Sequence, residues 1–422
     1  MKRRDLLQSL AGAAALGTLG SRAAVLRQAR AAEVYGDRKF LFFFASGGWD
    51  PTPLDPKFAA DGVSPLTGTD MDPGTVLARA GNLTWSGGPD REGMTRFFQR
   101  WGGRAALVRG VDVHSAGHES GMSWTMTGTS ASSMPDWAAI LASRGTVDYP
   151  MPHVVFSGPA YPGSFGAAVI RGGGGTLLDL IDADIVGQAD APAPVAPPPM
   201  DRMMDAALYG RAGRFATAAG PGTRAEALLG TLDRAMELEG RRFEAVLGDT
   251  GSSLLDQASM SIELMRLGMC RSAMIGIPGG WDTHGGNQDV GPQLDSFFTD
   301  LDSLLDSLAN TPGTLTDWLI DEVVVVCLSE LGRTPLFNGS MGRDHWPYTS
   351  ALVLGSGVRG NQVLGRTDDG FLALPINLGT GAADNNGSLI GAENLGTALL
   401  KLGGLDPELY LPGVAPLDGL LA

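Results

Sequence analysis

Of the five histidines in this 422-residue chain, four fall in polar, glycine-containing segments close to carboxylates. His284 follows Asp282 by two positions in Gly279-Gly280-Trp281-Asp282-Thr283-His284. In extended chain that spacing turns both side chains to one face, so a carboxylate oxygen and an imidazole nitrogen can converge on one cation. Asp50 closes an earlier copy of the same four residues, Gly47-Gly48-Trp49-Asp50, Glu330 follows an apolar run, and Asp344-His345 comes shortly after. Asp50, Asp282, His284, Glu330 and His345 are therefore the candidate metal ligands. A mixed carboxylate and imidazole set suits zinc or manganese better than a thiolate-rich structural zinc or an all-oxygen calcium cage. One divalent ion, or two about 4 Å apart, would activate a water and clamp an ester oxygen.

Two further residues could act on such a substrate. Arg333 carries a planar fork that matches phosphate or sulfate oxygens in two bonds; a salt bridge to a neighbouring acid is the alternative. His118 lies with His114 in Val111–Gly128, where a helix beginning near Ser115 would set free N–H groups and the positive end of its dipole beside the ring. A simple helix cap, with His114 facing the site instead, is the other reading. His153 precedes an apolar run without polar company and reads as structural.

These residues need elements to position them. Apolar runs at 39–45, 105–111, 153–157, 272–277, 322–328 and 350–354 read as strands, and helix-length segments separate them. Among the latter, Arg224–Leu247, Leu254–Leu267, Gln293–Leu308 and Ala392–Leu402 are read as helices, most with apolar residues at three- and four-residue spacing. The alternation predicts an α/β fold: a largely parallel central sheet with helices on both faces, and ligands at the carboxyl edge of the strands. The two Gly-Gly-Trp-Asp copies would sit at that edge, unless they are merely a turn used twice. The run 322–328 has no polar face and is expected to be central. A Gly/Pro/Ala-rich stretch near 171–222 is expected to be a surface excursion.

Residues 1–31 read as an address rather than structure. Lys2-Arg3-Arg4 precedes a short Ala/Gly-rich apolar stretch and Ala29-Arg30-Ala31 offers a small-residue cleavage site, so the segment is expected to be a twin-arginine signal peptide. That predicts handling by the twin-arginine export machinery and a periplasmic or secreted protein, with residues 32–422 as the mature domain. Its loss would remove six Lys/Arg and one Asp and move the formal charge from −15 to −20. An acidic chain without basic runs argues against nucleic acid and anionic membrane surfaces as partners, and no apolar run reaches the roughly 20 residues of a membrane span. Cys270 and Cys327 are expected to be buried apolar residues rather than a disulfide.

Taken together, the signal peptide, Gly280–Asn287, Ser329–Pro335 with Asn338, and Gly342–Pro347 resemble the exported bacterial family catalogued as domain-of-unknown-function family fifteen hundred and one. That family is assigned to the alkaline phosphatase and sulfatase superfamily. The resemblance implies that Asp50 follows the first strand as a ligand, that Asp282 and His284 share one metal, and that Ser329–Gly332 and His345 complete the set. It also implies an exported metal-dependent hydrolase of small phosphate or sulfate esters, with His118 at the nucleophile's position and Arg333 on the anion. Two departures stand out: His118 replaces the usual hydroxyl or modified cysteine, and Leu331 stands where the superfamily has a metal-binding histidine. The alternative is a non-catalytic, metal-stabilised binding or structural protein at the cell surface.

Overall fold

The computed structural model describes residues 36–57, 75–131, 133–172, 185–186, 193–194, 199–241 and 251–422. The expected export segment lies outside the described residues. Among the described residues nine strands form the main sheet: β1 (Lys39–Ala45), β2 (Ala105–Asp112), β3 (His153–Val155), β4 (Val169–Arg171), β5 (Ser272–Gly276), β6 (Val323–Ser329), β7 (Tyr348–Gly355), β8 (Gln362–Leu364) and β9 (Ile390–Gly391). Their order is β8-β2-β7-β6-β1-β5-β3-β4, with β9 also pairing β2. Every pairing is parallel except those of β7, which runs antiparallel to both β6 and β2. The expected largely parallel sheet is thus the observed one.

Helices cover both faces because the central strands are apolar on both. Leu41 and Phe43 of β1 point into one layer with Phe97 and Phe98 of α1 (Glu92–Trp101) and Leu294 and Phe298 of α7 (Val290–Asn310). Phe40, Phe42 and Phe44 point into the other, with Met126 of α2 (His118–Thr127), Leu141 of α3 (Trp137–Ser143) and Leu399 of α8 (Ala392–Leu402). Each fully buried Phe contributes about 1.5–3 kcal/mol relative to exposure, so β1 alone ties the two layers firmly together. Register follows: Phe40 to Ala45 pair with Val324 to Ser329, so β1 and β6 end level with each other.

The remaining long helices are α4 (Pro199–Ala219), α5 (Arg224–Arg241) and α6 (Leu254–Arg266). Helix α4 lies inside the stretch read as a Gly/Pro/Ala-rich excursion; its own run of Met, Ala and Arg favours helix over the prolines that precede it. Helix α6 starts at a capping box on Ser253 and Asp256. Cys270 and Cys327 are both free and buried, as read. Among the described residues no helix is long and apolar enough to cross a membrane.

Candidate metal centre

The carboxyl ends of β1, β2, β5 and β6 and the start of antiparallel β7 all meet at one edge of the sheet. Asp50 follows β1, His118 follows β2, Asp282 and His284 follow β5, Glu330 follows β6, and His345 precedes β7. The two Gly-Gly-Trp-Asp segments pack against each other there. A side chain on Gly47, whose φ is 120°, would bring a Cβ to 2.8 Å from the Asp282 nitrogen, so only glycine admits the approach. Trp49 and Trp281 are both buried beneath the edge and lock their loops.

Three imidazoles converge on Asp282. His284 Nε2 lies 3.2 Å and His345 Nε2 lies 3.4 Å from Asp282 Oδ1, while His118 Nε2 lies 3.6 Å from Oδ2. His118, Asp282 and His345 each offer a ligand atom within 4.8 Å of the others. The opposite ring nitrogens are all engaged. His118 Nδ1 is 2.8 Å from Glu330 Oε1, His284 Nδ1 is 3.0 Å from Asp344 Oδ1, and His345 Nδ1 is 2.8 Å from the Ala116 carbonyl. Carbonyls and ionised carboxylates only accept, so each Nδ1 donates, and in the neutral ring Nε2 keeps a lone pair. The Nε2 atoms of His284 and His345 are 2.9 Å apart. With both rings neutral and protonated at Nδ1, two lone pairs would face each other across that gap beside a carboxylate, an arrangement that a cation between them relieves. The donor set therefore fits a divalent ion, and the outer acceptors are those that orient metal-binding histidines.

Asp282 is held ionised. Burial pushes its carboxyl up, but the hydrogen bond and charge of Arg333, followed by His284 and His118, outweigh this and keep it below the ordinary carboxylate range. Arg333 Nη2 donates to Asp282 Oδ1 at 2.7 Å. Hydrogen bonds from Asn338 and His284 similarly hold Asp344 low.

Several expected roles change with this geometry. Arg333 is fully buried and its fork is committed to the carbonyls of Gly47, Gly48 and Arg343 as well as Asp282, so it presents no open face to a phosphate or sulfate. The salt-bridge reading is the one observed. Asp50 does not join the cluster: its buried carboxylate is ion-paired with Arg343, whose Nε is 2.9 Å away, and accepts from Asn287 Nδ2 at 3.2 Å and the Thr52 N–H at 2.8 Å. Glu330 is buried, accepts from the Gly47 N–H at 2.6 Å, and reaches the cluster only through His118. His118 opens α2, three residues beyond the expected start, and its ring centroid lies 4.3 Å from that of His345. His114 turns away to Glu393, 3.0 Å distant.

Sequence reading missed Arg343 and Asn287, which anchor Asp50, and the Ala116 carbonyl. The first two stood in quoted motifs without a role; a backbone carbonyl leaves no residue-type signal at all.

Residues 262–414 match a family model described as protein of unknown function (DUF1501). No curated protein matches the chain. Among solved structures, a protein of the alkaline phosphatase superfamily from Vibrio parahaemolyticus is similar at 9% identity and a TM-score of 0.36, covering 92% of this chain and 71% of that one. A putative sulfatase from Bacteroides thetaiotaomicron is similar at 10% identity and a TM-score of 0.34, covering 92% of this chain and 75% of that one.

Proposed function

We propose that the chain is an exported, metal-dependent hydrolase of small phosphate or sulfate esters. The observation that carries the metal is the set of three imidazoles with engaged Nδ1 atoms and Nε2 atoms turned on Asp282. The ester class is supported by the motifs Gly280–Asn287, Ser329–Pro335 and Gly342–Pro347 through the resemblance drawn from the sequence. A bound zinc or manganese ion would supply Lewis-acid activation of a water and of an ester oxygen.

The chain's own residues then divide the work. His118, Asp282, His284 and His345 would hold the ion, the two oxygens of Asp282 facing different histidines. Glu330 and Asp344 hold the tautomers of His118 and His284, and Arg333 keeps Asp282 ionised and aimed. His118 has a ligand's place rather than a nucleophile's, because its remaining nitrogen faces the carboxylate. No phosphohistidine should therefore accumulate. Export by the twin-arginine route rests on Lys2-Arg3-Arg4 and the stretch after it.

The test is turnover of a generic aryl phosphate and an aryl sulfate by the zinc- or manganese-loaded chain. His345→Ala and Asp282→Ala should each lower kcat/KM by at least about 100-fold, equivalent to roughly 3 kcal/mol of lost transition-state stabilisation. A second reading, a metal-stabilised protein without catalysis, is favoured by Arg333 and Arg343 both being buried and committed internally. Metal binding with no turnover of either ester would select it.

A further inference from the structure

His114 has a backbone that histidine rarely adopts. Its φ is +54°, in the left-handed region where a side chain is strained. Such strain persists only when the surroundings over-determine it. Here they do. The His114 N–H donates to Asp112 Oδ1 at 2.8 Å, Nε2 lies 3.0 Å from Glu393 Oε2, and the ring packs on Trp124 with centroids 4.4 Å apart. Glu393 belongs to the first turn of α8, directly after β9, which pairs with the end of β2, so the contact joins the loop after β2 to a helix far away in sequence.

Two residues further on lies the Ala116 carbonyl that accepts from His345 Nδ1, and Gly117 caps the helix that begins at His118. A peptide carbonyl can be aimed only by fixing the backbone on either side of it. On the far side α2 does this; on the near side His114 does so, alongside the Val113 N–H on the Pro347 carbonyl and Ser115 Oγ, which accepts from the Gly117 N–H.

We propose that His114 and Glu393 form a latch that positions the Ala116 carbonyl and thereby fixes His345 in the Nδ1–H tautomer. His114 is a positioning residue, not a catalytic one, and its use to the protein rests on the metal reading above. The carbonyl's aim and the tautomer, however, can be measured without metal.

The experiment records long-range 15N–1H spectra of the histidine rings on the metal-free full chain, for wild type, His114→Gly, Glu393→Ala and Glu393→Gln. His114→Gly relieves the backbone strain but removes the ring, so it separates the latch from the conformation alone. Wild type and Glu393→Gln, which keeps an acceptor, should show His345 protonated at Nδ1; the other two should show a mixture of tautomers. Zinc affinity, read by competition with a chromophoric chelator, should fall roughly tenfold in those two variants, at the lower end of what loss of an orienting partner costs. His345 remaining Nδ1–H in both His114→Gly and Glu393→Ala, with zinc affinity unchanged, would overturn the latch. Loss of the tautomer in these variants in a chain that binds no zinc would support the latch and remove the metal reading.

Discussion

At the scale of single residues, the centre is defined less by which side chains are present than by what stands behind them. His284 leans on a carboxylate and His345 on a backbone carbonyl, and these acceptors rather than the rings decide where the lone pairs point. Removing Asp344 should therefore weaken zinc binding about 10–100-fold although Asp344 itself is not proposed as a ligand; competition titration of Asp344→Ala checks this. His153 makes a contrasting case. It is fully buried, its Nδ1 meets Ser272, and burial pushes its pKa down to about 4 from an ordinary 6.5. The unfolded chain then binds the proton that the folded chain refuses, so stability falls as pH drops from 6.5 towards 4. The loss amounts to about 3 kcal/mol on completion. Urea unfolding of wild type and His153→Phe across that range should converge as pH falls. The opposing slope of buried Asp136, whose carboxyl burial raises to about 6, is common to both chains and cancels in the comparison.

At the scale of elements, the site depends on how closely α2 and the loop after β6 approach. A Cβ on Gly121 would come 2.4 Å from the Glu330 carbonyl oxygen, which is backbone and cannot swing aside. Gly121→Ala should push α2 outward, part His118 from Glu330, and cost about 1–3 kcal/mol; thermal unfolding and zinc titration together would register it. The Asp50–Arg343 pair, with both side chains fully buried, ties the loop after β1 to the segment before β7. Arg343→Met would leave a buried carboxylate uncompensated and should destabilise by about 3–5 kcal/mol, measured by denaturant unfolding.

The same elements explain what could be read in advance. Strands β1, β2, β5, β6 and β7 were legible because apolar runs buried on both faces carry their own signal. Edge strands β4, β8 and β9 are two or three residues long, too short to show a pattern. Asp282, His284 and His345 were legible as a group because spacing and motif brought them to one edge. Asp50 misled, since an identical tetrapeptide precedes Asp282 and only the distant Arg343 distinguishes a buried counter-ion from a ligand. The left-handed backbone of His114 had no trace in a segment of otherwise ordinary polar residues.

At the scale of the whole molecule, the sheet works as a bracket whose carboxyl edge gathers loops separated by more than two hundred residues. Closing those loops costs conformational entropy on folding, and a cation that binds only the gathered form stabilises the folded state by mass action. Zinc at 100 times its dissociation constant should add about 2.7 kcal/mol. Calorimetry should accordingly show a Tm that rises with zinc and returns on chelation, and the rise should vanish in His284→Ala. A crystal grown with zinc, with an anomalous difference map recorded at the zinc edge, would locate the ion directly. A peak should stand among Asp282 Oδ1, His284 Nε2 and His345 Nε2, roughly 2.0–2.2 Å from each, with His118 Nε2 on that ion or on a second one beside Asp282. No peak at that edge of the sheet, or the rings of His284 and His345 sharing a proton with zinc bound elsewhere, would contradict the metal reading.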